Sequence, residues 1–110
     1  MAIYVKTEKP SELLDKLKKA IDDENIKTWK CDEDGDFYHS PEQWQYNGWL
    51  RPFITEKYLV FGIIKPKDET MKTVTYAVYH GRFIEMMLSH FDGEFESIYA
   101  SAQKTQYDNF

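Results

Sequence analysis

Few residues of this 110-residue chain could do chemistry: His39, His80, His90, the single Cys31 and the acidic run Asp32-Glu33-Asp34-Gly35-Asp36. The run has the composition of a calcium loop. When Gly35 is aligned with that loop's required glycine, however, Lys30 falls on the first ligand position and Pro41 on the bidentate Glu position. The run therefore reads as a solvated turn, as Asp and Gly prefer. The histidines form neither HExxH nor HxH, and Cys31 has no second cysteine. His80 and His90 are ten residues apart, which puts them on different faces of a helix. No metal and no cofactor is expected.

Tyr79-His80-Gly81-Arg82-Phe83 reads as a strand-to-helix turn. Such a turn offers free backbone N–H groups and the positive end of a helix dipole. His80 and Arg82 would add two cationic donors, so His80, Gly81 and Arg82 form a candidate anion site. A single glycine that merely permits a tight turn explains the same residues. No GxSxG and no Cys–His pairing supplies a nucleophile. Catalytic residues are therefore not assigned, and nothing argues positively for an enzyme.

Recognition chemistry is concentrated instead in Ile26–Ile54, which holds all three tryptophans. Trp44, Tyr46, Trp49, Arg51 and Phe53 are of the types enriched or at home in binding hot spots. Trp49, Arg51 and Phe53 alternate and so share one strand face. Asp32, Asp34 and Asp36 lie nearby and would steer a basic partner. The competing reading makes Trp44 or Trp49 a plug at the end of a small core. Truncating an exposed anchor is expected to cost on the order of 2 kcal/mol of binding with little change in stability.

Composition limits the partners. Fourteen basic against nineteen acidic residues leave a formal charge of −5, and no lysine cluster forms a basic patch. Nucleic-acid binding is disfavoured. No apolar run approaches the roughly 18 residues of a membrane span. A lone cysteine and no export-type N-terminal run fit a cytoplasmic protein. Aromatics at 16% are numerous enough to supply core volume.

The elements follow from periodicity. Ala2–Thr7 alternates as a strand. Residues 11–24 form an amphipathic helix with Ser11 as N-cap and Leu13, Leu17 and Ile21 inward. Ile26–Cys31 and Asp36–His39 flank an Asp34-Gly35 hairpin turn. Ser40-Pro41-Glu42-Gln43 starts a short helix that Asn47-Gly48 stops. Trp49–Ile54 and Tyr58–Ile64 are strands, and Pro52 places the first at an edge or bulge. Thr73–Tyr79 is a strand by its β-branched and aromatic content, His80–Phe91 the second helix, and Phe95–Ala100 a last strand. Leu59, Phe61, Ile63, Phe83, Met87, Leu88 and Phe91 complete the expected core.

This order predicts an α+β domain over residues 1–100. A mainly antiparallel sheet of about five to seven strands carries two amphipathic helices on one face. Residues 101–110 read as a loose polar tail. The expected function is non-catalytic binding of a protein, self or foreign, as an inhibitor, immunity-type protein or assembly factor. The partner would meet the aromatic–Arg segment and the acidic hairpin. The alternative is a small-ligand or enzymatic domain at the Tyr79–Phe83 turn, distinguished by a concave pocket joining His39, His80 and Arg82.

Overall fold

The computed structural model describes residues Met1–Phe110. Six strands and two helices follow as β1 (Ile3–Lys6), α1 (Pro10–Asp22), β2 (Trp29–Cys31), β3 (Phe37–His39), β4 (Trp49–Ile54), β5 (Tyr58–Ile64), α2 (Thr73–Phe91) and β6 (Ser97–Ala100). The strands form one antiparallel sheet in the order β2-β3-β4-β5-β1-β6. This is the α+β architecture expected from the sequence.

Alternation sorts the strands into two faces. On the inner face, register aligns Leu50 with Ile63, Ile3 with Phe61 and Val5 with Leu59. These side chains, with Phe37 and Trp29, are buried beneath both helices. Helix α1 contributes Leu13, Leu17 and Ile21 at i, i+4, i+8. It begins at Pro10, one residue before the expected start, with Lys9 rather than Ser11 in the capping position. Trp29 lies at the centre of the core, its ring edge-on to Tyr79 at 5.5 Å and to Phe83 at 5.0 Å.

Three expectations need correction. Thr73–Tyr79 is not a strand but the N-terminal part of α2, which runs unbroken from Thr73 to Phe91. Thr75, Tyr79, Phe83 and Met87 recur every four residues on its buried side, and that packing outweighs the β-propensity of the segment. Leu88 falls off this face and is 48% exposed, so it is not a core residue. The segment Ser40–Asn47 forms turns rather than a short helix, and Tyr46 adopts a left-handed φ of 65°.

The hairpin forms as expected. Gly35 takes φ +84°, which costs glycine nothing. Asp32 Oδ1 accepts the backbone N–H groups of Asp34 and Asp36 at 3.0 and 2.9 Å. Strand β4 is internal in sheet order, but β3 pairs with it only at Leu50. Arg51–Ile54 therefore keep an open side, where the missing N–H of Pro52 is tolerated.

Residues 101–110 are not loose. The N–H of Asn109 donates to Ile63 O at 2.9 Å, and the Lys65 N–H donates to Asn109 O at 3.1 Å. Asp108 is 9% exposed, and its Oδ1 accepts the Ile63 N–H at 2.8 Å. The segment continues the sheet beside β5 where β1, which begins at Ile3 opposite Phe61, has ended.

Candidate binding face

The face of the sheet turned away from the helices carries most of the aromatic–Arg segment. Register places Trp49, Arg51 and Phe53 opposite Ile64, Gly62 and Val60, so the three share that face as their alternation requires. Trp49 and Phe53 are half-buried and Arg51 is exposed. Extending the β3–β4 register by one residue each way brings Asp36 beside Arg51 and Tyr38 beside Trp49. Tyr46, 59% exposed, packs on Tyr38 with ring centroids 5.5 Å apart.

Arg51 is held by the hairpin. Its Nε donates to Asp36 Oδ1 at 3.0 Å and its Nη2 to Asp36 Oδ2 at 2.9 Å, a bidentate pair. These hydrogen bonds to Asp36 hold the guanidinium pKa above its ordinary value. Asp32, Asp34 and Asp36 bring carboxylate oxygens within 4.8 Å of one another. Two of these carboxylates are already committed, Asp32 to backbone N–H groups and Asp36 to Arg51. The cluster is a folded turn tied to β4, with Asp34 facing solvent.

Trp44 departs from this surface. It packs against the helix-side core, and its carbonyl accepts the Tyr79 hydroxyl at 2.7 Å. Burial pushes the Tyr79 pKa up to about 12, so it remains a neutral donor. Trp44 lines a small cleft of about 230 Å³ with Thr75 and Lys72 at the start of α2. The aromatic-rich segment is thus divided: Trp29 and Leu50 are core, Trp44 faces the helix side, and Tyr46, Trp49, Arg51 and Phe53 lie on the outer face.

His80, Gly81 and Arg82 do not form the expected anion site. They lie inside α2, where backbone N–H groups are taken by the helix ladder. The true start of the helix is Lys72–Thr73. His80 is buried, and its Nε2 meets the Met1 carbonyl. Gly81 and Arg82 point to solvent.

His39 is buried behind Trp29, their rings 4.7 Å apart. Its Nδ1 donates to Thr28 O at 2.8 Å, which leaves Nε2 without a partner. Burial lowers the pKa of both histidines. The Thr28 carbonyl and Glu85 oppose this at His39 and Arg82 adds to it, while the Met1 carbonyl opposes it at His80. Neither histidine opens onto a cleft, so the pocket joining His39, His80 and Arg82 does not form.

The larger cleft, about 540 Å³, lies elsewhere, between the end of β1, the start of α1 and the turn before β6. All its charged side chains but Glu8 pair with one another: Lys6 with Glu96 at 3.5 Å, Lys9 with Glu12 at 3.8 Å, and Lys16 with Glu94 at 3.0 Å and with Glu12 at 3.8 Å. The Thr7 hydroxyl donates to Glu94 O and accepts the Lys9 N–H. No nucleophile–base pair lines it.

Sequence reasoning missed the tyrosines that extend the outer face. Tyr4 stacks on Tyr99 at 4.9 Å and meets Tyr58 edge-on at 6.3 Å. Tyr107 packs on Phe53 at 5.1 Å. The outward alternation of Tyr4 and Tyr99 in their strands was the available signal. No helix is long and apolar enough to cross a membrane. No family model, curated protein or solved structure matches the chain.

Proposed function

We propose that this protein is a non-catalytic protein-binding domain that engages its partner with the outer sheet face at Tyr38, Tyr46, Trp49, Arg51 and Phe53. The observation that carries this reading is the position of Tyr46. A large aromatic ring, 59% exposed, is held in a left-handed turn against Tyr38. The hairpin carboxylates beside it favour a partner surface bearing Lys or Arg around an apolar centre. Tyrosine presents a large amphipathic area at low entropy cost, which suits such contacts. A rigid sheet platform with a fixed acidic rim suits a stoichiometric inhibitor, immunity-type protein or assembly factor.

The test is capture of partners by the full chain, compared with Tyr46→Ser and Asp34→Asn, then hydrogen exchange on the purified pair. Both variants should weaken capture of the same protein. Bound-state protection should map to Tyr38–Phe53. Protection confined to the helical side, or capture unchanged by both variants, would sink the reading. Sedimentation of the chain beside Tyr46→Ser tests whether the partner is a second copy bound through this face, since only that dimer is lost in the variant.

A further inference from the structure

The docking of Tyr107–Asn109 onto β5 has the features of a peptide site. Beyond Phe61, the side of β5 facing β1 has no neighbouring strand. Asn109 makes a single parallel bridge there, against Ile64. Three features select for this segment. Gly62 leaves room for a backbone, since a Cβ there would overlap the Tyr107 carbonyl. A carboxylate one residue later, Asp108, takes the Ile63 N–H. The next residue exchanges main-chain hydrogen bonds with Ile63 O and the Lys65 N–H.

The segment is also prefolded for this task. Asp108 Oδ2 accepts the Thr105 N–H at 2.8 Å and its hydroxyl at 3.0 Å, and Thr105 Oγ1 accepts the Tyr107 N–H at 3.1 Å. Thr105–Asp108 is therefore a hook whose shape does not depend on the strand that receives it. Ala102, Gln103 and Lys104, which join the hook to β6, are exposed. The Met1 amine is a further neighbour of Asp108 Oδ2, at 3.4 Å.

We propose that this slot is a peptide-docking site whose occupant passes between two copies of the chain, the Thr105–Phe110 hook of each seated on β5 of the other. A second copy is the one partner that carries the matching sequence by necessity: backbone at Gly62, carboxylate at Ile63, backbone at Lys65. Most of the docking is main-chain hydrogen bonding, so the slot reads an incoming hook as it reads its own, in the manner of strand addition. Exchange is reciprocal and gives a closed two-fold pair. The tether gives the chain's own hook a millimolar effective concentration, so the closed monomer dominates until that contact is broken. The two readings share one contact, Tyr107 on Phe53, but hook exchange is read at Gly62–Lys65 and partner capture at Tyr46 and Asp34, so their failures are distinguishable.

Complementary full-length variants test it. Gly62→Ala blocks the slot and keeps the hook; Asp108→Ala spoils the hook and keeps the slot. Each alone should sediment as a monomer, with Lys104 open to trypsin. Mixed, they should form a 1:1 heterodimer in which the Gly62→Ala chain resists cleavage at Lys104 roughly tenfold more. No heterodimer at concentrations approaching about a millimolar would overturn the proposal.

If Gly62→Ala does not fold, the peptide SAQKTQYDNF is titrated into the Asp108→Ala chain. Saturable shifts at Gly62–Lys65, abolished when the peptide's own Asp is changed to Ala, are expected. Absent or Asp-independent binding overturns the proposal. Asn109→Pro, which removes the N–H given to Ile63 O, replaces Asp108→Ala should that variant not fold.

Discussion

Arg51 looked from sequence like a free binding anchor, yet its pairing with Asp36 gives it a structural debt that a stability measurement can read. The side chain of Asp36 is 7% exposed and that of Arg51 is 45% exposed. A fully exposed pair contributes about 0.2–1 kcal/mol, and removing one partner of a fully buried pair costs about 3–5 kcal/mol. Here one partner is sealed and the other half open to solvent, so the answer lies between these limits. Arg51→Ala withdraws both charge-assisted hydrogen bonds from a buried carboxylate, although water enters the space it leaves. We expect a loss of about 1.5–2.5 kcal/mol. Asp36→Asn retains one acceptor and should cost about 1 kcal/mol. The double variant should fall short of the sum by about 1 kcal/mol, the coupling that a double-mutant cycle isolates. Urea unfolding at neutral pH, followed by tryptophan fluorescence, reads all four corners. Arg51→Ala within about 0.5 kcal/mol of the parent, the usual spread of surface substitutions, together with zero coupling, would refute the reasoning. It would mean that Arg51 is free to act as an anchor after all.

Leu17 is wholly buried and Leu88 is 48% exposed. Leu17→Ala should therefore destabilise by about 2–5 kcal/mol and Leu88→Ala by under about 0.5, and equal losses in urea melts would show that the face of α2 is misassigned. The folded-state pKa values of His39 and His80 lie below the ordinary value because of burial. The unfolded chain therefore takes up protons first as pH falls. Their contribution is complete above about pH 6.5 and is lost as pH falls toward the folded values. The urea midpoint should drop from about pH 7.5 to about pH 5, less steeply in His39→Gln, and an identical slope in that variant would contradict this account. A chelator, or added calcium, should leave the melting temperature unchanged, because Asp32 and Asp36 already bond to backbone and Arg51; a shift of several degrees would show a metal in the hairpin.

The strands and α1 were legible because single periodicities dominate them. Ile3 and Val5 alternate against Tyr4, and Leu13, Leu17 and Ile21 recur every fourth residue. Where two signals competed, the local one misled. Thr73–Tyr79 holds β-branched and aromatic residues at high density, yet Thr75 and Tyr79 are in phase with Phe83 and Met87. A single stripe running through Gly81 explains all of these better than a strand and a helix meeting there. Moving that boundary back to Lys72 removes the anion site in one step, because free N–H groups exist only where a helix begins.

The C-terminal hook shows what sequence patterns cannot carry. Its residues have no apolar period, since Asp108 and Asn109 dock through hydrogen bonds that depend on where β1 stops. One trace of it is visible in the chain all the same. Gly62 interrupts the buried run Tyr58–Ile64, and a lone glycine inside a strand marks a close backbone approach. The approaching backbone is that of Tyr107, 45 residues further along. The glycine announces that something crosses the strand, but identifying it requires the fold. The same holds for the outer sheet face. Alternation puts Trp49, Arg51 and Phe53 on one side of β4, but only the sheet order places Tyr4, Tyr58 and Tyr99 on that same side. A surface built from several strands is a property of their pairing, so no single stretch of sequence contains it.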